Sequence, residues 1–162
     1  MVTIPQGVSV AVTGGVISVK GPKGKSERQV GDFATVTVNG EKVDVKGDKS
    51  HVNTMESLIF NMMKGVSVGY QKELKLIYAH FPITLEVKGK EVAIKNFLGE
   101  KMARKSKLVG DTKLAIKGQF VTVTGSDKEA LGQSVANLRQ AMRIKDKDGR
   151  IFQDGIYPIN VE

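Results

Sequence analysis

Three stretches of this 162-residue chain carry the residue types and spacing that meet phosphate. The first is "VKGPKGKSE", Val19 to Glu27, where three lysines and two glycines surround one proline. Glycine, lysine and serine are what a nucleotide-binding loop uses to cradle phosphates. The second runs from Lys95 to Lys107 and holds Lys95, Lys101, Arg104, Lys105 and Lys107 against Glu100 alone. The third runs from Arg139 to Arg150 and holds Arg139, Arg143, Lys145, Lys147 and Arg150 against Asp146 and Asp148. Clustered cations of this kind neutralise closely spaced phosphates and release their counterions.

The first stretch fails as a nucleotide loop. Counting back from Gly24, Lys25 and Ser26, the first glycine of G-x-x-x-x-G-K-[ST] falls on Val19. A helix must also follow, so that its N-terminus faces the phosphates, whereas Val36 and Val38 alternate like a strand. The stretch therefore reads as a glycine-loosened basic loop leaving a strand, and "IKNFLGEKMARK" reads as its counterpart.

Catalytic chemistry has little material. His51 and His80 are the two imidazoles, with no spacing that joins them to a metal or a serine triad. "DKDG" at Asp146 to Gly149 hints at a calcium loop, but the twelfth position, which needs a bidentate glutamate, is Tyr157. Cysteine is absent, so there is no disulfide, thiolate ligand or thiol nucleophile. The expectation is a protein that is not an enzyme, with no catalytic residue, metal, cofactor or small-molecule substrate.

Composition supports a different class of partner. Hydrophobic residues are 40% of the chain and charged residues 26%, as in a globular protein with a buried core. Apolar runs such as Leu58 to Phe60 fall far short of the roughly 20 residues that cross a bilayer. Pro5, Gln6 and Gly7 break up any signal-peptide pattern at the start, so no membrane association is expected. Net charge is +8, which favours polyanions, nucleic acid first. Residues 1–75 hold ten Lys and Arg against seven Asp and Glu, net +3; residues 76–162 hold fifteen against ten, net +5.

The elements that position these cations are written twice. "VSVAVTGGVISVKGPKG" (Val8 to Gly24) lies over "ITLEVKGKEVAIKNFLG" (Ile83 to Gly99) without a gap, matching Gly14 to Gly89 and Gly24 to Gly99. "VTVNGEKVDVKG" (Val36 to Gly47) lies over "LAIKGQFVTVTG" (Leu114 to Gly125) with both glycines matched. The offset moves from 75 to 78, so the second copy holds three extra residues between its hairpins. Val8, Val10 and Val12 alternate as a half-buried strand does, and "TGG", "NGEK" and "KGQF" are hairpin turns. After Gly47 the period changes to a helical stripe through Val52, Met55, Ile59 and Met62. Leu131, Val135, Leu138 and Met142 repeat that stripe in the second copy, opened by a Ser126 to Glu129 capping-box spacing.

The fold expected is therefore α+β: two tandem repeated domains, each a small, mainly antiparallel β-sheet packed against one α-helix. The first repeat covers residues 1–75. The second covers 76–162 and carries a basic C-terminal extension, and between the two Leu74, Leu76 and Tyr78 alternate as a further strand leading into the second domain. Its helix places Gln133, Asn137 and Gln140 on one polar stripe, open either to RNA 2′-OH groups or simply to solvent. Arg143 is expected in the last helical turn, complementing the helix dipole. Phe97, Phe152 and Tyr157 are either base-stacking residues or core anchors.

Three motifs carry a family likeness: "HFPI" with "IKNFLGEK", "HVNTMESLIFNMMKGVSVGY", and "QAMRIKDKDGRIFQDGIY". Together the chain resembles large-subunit ribosomal protein six, in the form shared by archaea and eukaryotes. The last motif carries most of the likeness, through Gln140, Ile144, Lys147, Arg150, Phe152, Asp154, Gly155, Ile156 and Tyr157. The resemblance implies a cytoplasmic protein of the ribosome, with large-subunit rRNA and neighbouring large-subunit proteins as partners. It further implies RNA binding mainly through the second domain, near the stalk base where translation factors dock. The residues expected to touch rRNA are Lys95, Lys101, Arg104, Lys105, Lys107, Arg139, Arg143, Lys145, Lys147, Arg150 and Tyr157. The competing reading is a protein-binding adaptor that recruits a strand at an exposed sheet edge.

Overall fold

The computed structural model describes residues 2–31, 34–40 and 42–159. They form two compact units. One runs through Tyr70 and takes in Ser126–Lys128; the other holds Gln71–Gly125 and the chain from Glu129 on.

In the first unit β1 (Val2–Thr3), β2 (Ser9–Thr13), β3 (Val16–Gly21), β4 (Gly24–Gln29), β5 (Ala34–Asn39) and β6 (Lys42–Gly47) precede helix α1 (Lys49–Ser67). They make two antiparallel sheets, ordered β2-β3-β4 and β1-β6-β5. Alternation sends Ile17, Val19, Val36 and Val43 inward, where Met55, Ile59, Met62, Met63 and Val66 of α1 complete one core. The helical stripe read from the sequence is thus the buried face, shifted slightly so that Val52 sits at its margin.

The opening basic stretch is not a loosened loop. Gly21 pairs with Gly24, leaving Pro22 and Lys23 as a two-residue hairpin turn, and Gly24–Gln29 continue as β4. This turn closes the end of α1. The Lys23 backbone N–H donates to Val66 O at 2.9 Å and its ammonium donates to Val68 O. Carbonyls at a helix C-terminus lack intrahelical partners and attract cations, so this lysine serves as a cap. Gly21 permits the approach, since a Cβ there would lie 2.7 Å from Val66 O.

The second unit repeats the plan with β7 (Tyr70–Ile77), β8 (Thr84–Lys88), β9 (Glu91–Lys95), β10 (Arg104–Lys107), β11 (Lys113–Lys117) and β12 (Phe120–Gly125). Helix α2 (Lys128–Ala141) and β13 (Gly155–Pro158) follow. Its sheets are ordered β8-β9-β10 and β11-β12-β7-β13. Registers match across the repeats: Val12↔Ile17 answers Val87↔Val92 at an offset of 75, and Val38↔Val43 answers Ile116↔Val121 at 78. Leu131, Val135, Leu138 and Met142 are buried as their spacing required.

Several details differ from the sequence reading. Each unit contains two sheets where a single one was expected. Gln71 to Lys75, grouped with the first repeat by sequence, belong to β7 and hence to a sheet of the second unit. Residues 101–107 are not all loop, because Arg104–Lys107 pair with β9. Helix α2 starts at Lys128, one residue later than the capping-box spacing places it, and ends at Ala141. Arg143 therefore lies beyond the helix, and Arg139 is the cation of its last turn.

The three extra residues of the second copy can now be located. Val19 pairs with Ser26 in the first unit, while its counterpart Ile94 pairs with Arg104. The two-residue turn at Pro22 and Lys23 has become a longer excursion through "NFLGEKM", with Asn96 and Leu98 both at left-handed φ.

Candidate nucleic-acid interface

Phe97 is driven into the core at the start of this excursion and is 1% exposed, so it anchors the loop and is not a base-stacking surface. Arg104, at the head of β10, lays its guanidinium 4.5 Å from the Phe97 ring centroid. From there Nε donates to Glu100 Oε2 at 2.8 Å and an amino nitrogen donates to Glu100 Oε1 at 2.5 Å. Its other amino nitrogen donates to the carbonyls of Ala141 and Arg143, both at 3.0 Å. A planar fork suits this double recognition, which a point-charge ammonium cannot reproduce. Hydrogen bonding from Arg104 holds the Glu100 carboxyl below its ordinary 4.5, against a smaller opposing push from burial. The reciprocal bond raises Arg104 further.

The consequence is that the two basic segments meet. Arg104 ties the start of β10 to the end of α2, and Asn137 Nδ2 donates to Lys107 O at 3.0 Å one helical turn earlier. Earlier still, Ser134 Oγ accepts from Val109 N–H at 2.9 Å while donating to Ala130 O at 2.7 Å. The residues from Arg104 to Val109 are thereby held along α2 at three levels. Asn137 is used by this seam, and Gln133 donates to Asn137 Oδ1 at 2.9 Å, so much of the polar stripe on α2 braces protein. Alternation along β10 turns Ser106 inward and Lys105 and Lys107 outward.

The sequence candidates separate accordingly. Lys101, Lys105, Lys107, Arg139, Arg143 and Lys145 are exposed and have no ion pair among the described residues. Arg104 directs four hydrogen bonds internally. Lys95 pairs with Glu86 at 2.6 Å, and its hydrogen bond lowers that carboxyl. Arg150 pairs with Asp148 at 3.1 Å and lowers it likewise, although Arg150 itself is almost fully exposed. Lys147 sits 4.4 Å from the Phe152 ring centroid.

Beside the helix end lies an open groove of about 500 Å³ lined by Arg139, Gln140, Arg143, Phe152, Asp154 and Tyr157, among others. Asp154 is buried and accepts Ala79 N–H at 3.2 Å, which fixes the returning chain against β7. Tyr157 is exposed on β13. Sequence reasoning missed the positioning roles of Glu100, Ser134 and Asn137. The i, i+4 spacing of Glu100 and Arg104 was the one available signal, since that spacing usually pairs charges. Among the described residues no group of three or more His, Asp or Glu side chains is arranged to hold a metal, and no helix is long and apolar enough to cross a membrane.

Comparison with known proteins agrees with this architecture. The family model described as Ribosomal protein L6 matches residues 4–69 and 81–155, one match in each repeat. The large ribosomal subunit protein uL6 of Methanocella arvoryzae is 47% identical, over 96% of this chain and 93% of its own length. Its namesake in Methanosphaera stadtmanae is 44% identical, over 99% and 91%. The one in Staphylothermus marinus is 42% identical, over 96% and 90%.

Proposed function

The chain belongs to the ribosomal protein L6 family, and from that premise we propose that its second unit grips large-subunit rRNA along the seam of β10 and α2. The protein is a structural component of the large ribosomal subunit and not an enzyme, and it works where ribosomes work, in the cytoplasm. Lys101, Lys105, Lys107, Arg139, Arg143 and Lys145 contact phosphate. Arg104 and Asn137 hold the two cationic segments in register, while Arg150 and Lys95 contribute less because carboxylates already hold them. Tyr157 borders the groove that receives the RNA backbone. Phosphate contacts fix position and not sequence, so selectivity comes from matching a rigid pattern of charge to a folded RNA. A location near the stalk base, where translation factors dock, accords with the family likeness.

The observation that carries this reading is the Arg104 clamp, which joins segments nearly forty residues apart into one surface of exposed cations. A strand-recruiting adaptor is disfavoured by the same edge, because outward lysines on an edge strand discourage pairing with another chain. The test is rRNA-fragment binding across a salt series by full-length protein carrying Lys105→Ala, Lys107→Ala, Arg139→Ala and Arg143→Ala together. The slope of log affinity against log salt should flatten by about 0.7 to 0.9 for each phosphate no longer neutralised. An unchanged slope would remove these residues from the interface.

A further inference from the structure

The sheet β11-β12-β7-β13 has one buried and one open face. Leu74, Leu76, Val121, Val123 and Ile156 point into the core, so the alternate residues of the same strands point away from it. Directly opposed residues of antiparallel strands share a face. Lys117 opposes Phe120, and Tyr157 opposes Lys75. The Lys75 ammonium lies 5.9 Å from the Phe120 ring centroid, which joins the two pairs across β12 and β7. One row therefore crosses all four strands in the order Lys117, Phe120, Lys75, Tyr157. Phe120 is 52% exposed and Tyr157 is 41% exposed. Glu73 is the one carboxylate on these strands, and Gln71 Nε2 already donates to it at 3.1 Å.

We infer that this row is a second RNA contact, a platform on which two unpaired nucleotides stack. The reading rests on the rRNA-binding function above and extends it from Tyr157, at the border of the groove, across the sheet by a different chemistry. Neighbouring strands lie about 4.8 Å apart, so the backbones that carry the two rings lie roughly 10 Å apart, a distance that a splayed dinucleotide spans. Lys75 sits between the rings, where the linking phosphate passes, and Lys117 flanks them for the next one. Aromatic faces accept any base, so the platform selects single strand over duplex and not one sequence over another. The Tyr157 ring lies beside Gly155, two residues earlier on the same strand, at 3.4 Å from where a Cβ would stand, in ordinary contact. The first unit lacks the feature. At the positions matched to Lys117, Phe120 and Thr122 it carries Asn39, Lys42 and Asp44.

The chain contains no tryptophan, so Phe120→Trp provides a single reporter. Full-length F120W is titrated with a single-stranded oligouridylate and with a duplex RNA of equal length. The single strand should quench the indole and the duplex should leave it nearly unchanged. In parallel, F120A should weaken single-strand binding on the order of tenfold, which corresponds to removing one stacked base, while duplex binding stays within twofold and F120W restores it. Equal quenching by both RNAs, or single-strand affinity unaffected by F120A, overturns the platform. So does an F120A defect confined to association with other large-subunit proteins. A flattened salt slope in the quadruple cation variant with F120W quenching intact would locate the two contacts separately. Failure of quenching with that slope still flattened would sink the platform alone.

Discussion

The hairpin turn at Pro22 and Lys23 and the excursion from Asn96 to Met102 occupy equivalent places in the two repeats, yet they do opposite things. In the first unit an exposed lysine bends back to cap α1, and its charge is engaged by the fold. In the second, three more residues move a phenylalanine into the core and set Glu100 and Arg104 against the end of α2. The neighbouring lysines are then left facing solvent. A duplicated scaffold has thus diverged by changing where one turn's cations point, as well as by raising the cations from ten in the first repeat to fifteen in the second. The lesson is that charge counted along a sequence measures potential. Whether it meets a ligand depends on which carbonyls and carboxylates lie within reach.

The sharpest way to break the comparison is at its buried anchor. Phe97 corresponds to Pro22 at the offset of 75. Phe97→Ala removes a fully buried ring and should destabilise the second unit by about 3 to 5 kcal/mol, whereas Pro22→Ala at an exposed turn should cost less than about 1 kcal/mol. Urea unfolding of the two variants reads the difference. Comparable destabilisation would mean that the longer excursion is not the organising element.

Next in size is Arg104, whose counterpart at the offset of 78 is Ser26. Arg104→Ala breaks charge-assisted hydrogen bonds to one carboxylate and two helix-end carbonyls, and should cost about 2 kcal/mol. Arg104→Lys should recover little, because an ammonium cannot bridge Glu100 and both carbonyls in one plane. Ser26→Ala should be nearly neutral. Backbone amide exchange around Met142 and Lys107 should rise in R104A, since those segments are held to each other through that side chain. Unchanged exchange there would show that the seam stands without the clamp.

These side-chain roles mark the boundary of what the sequence could disclose. Alternation in Val8 to Val12, the helical stripes and the matched glycines are local periodicities, so the strands, hairpin turns and two helices were legible. Gly14 and Gly89 do adopt left-handed φ, of 57° and 62°, as the shared turn demands. The aggregate positive charge of residues 95–107 and 139–150 was legible as well. Partition within those segments was not, because Arg104 and Arg143 are alike as residue types and, the Glu100 spacing apart, Arg104 is set off by contacts with Ala141 and Arg143 far away in the chain. The platform residues were hidden for another reason. Lys75, Lys117, Phe120 and Tyr157 are scattered along the chain, and only the order β11-β12-β7-β13 lines them up.

The smallest effect concerns protons. Glu100 and Glu27 both have carboxyls lowered from 4.5, each chiefly by a hydrogen bond from its basic neighbour, Arg104 and Lys25 respectively. A depressed carboxylate pKa stabilises the fold above the unfolded value, and that contribution fades as pH falls through the folded value. Both pairs should therefore weaken below about pH 4.5. They differ in what lies behind them. Glu27 is fully solvated, so salt screens its pair and its removal should be almost silent. Glu100 shares its arginine with the end of α2, so protonating it should loosen the seam as well. Urea midpoints at about pH 6 and about pH 3 should thus converge more in Glu100→Gln than in Glu27→Gln, relative to the unaltered protein. Identical pH dependence in all three would mean that the Arg104 fork is held by Ala141 and Arg143 alone, with the carboxylate a bystander.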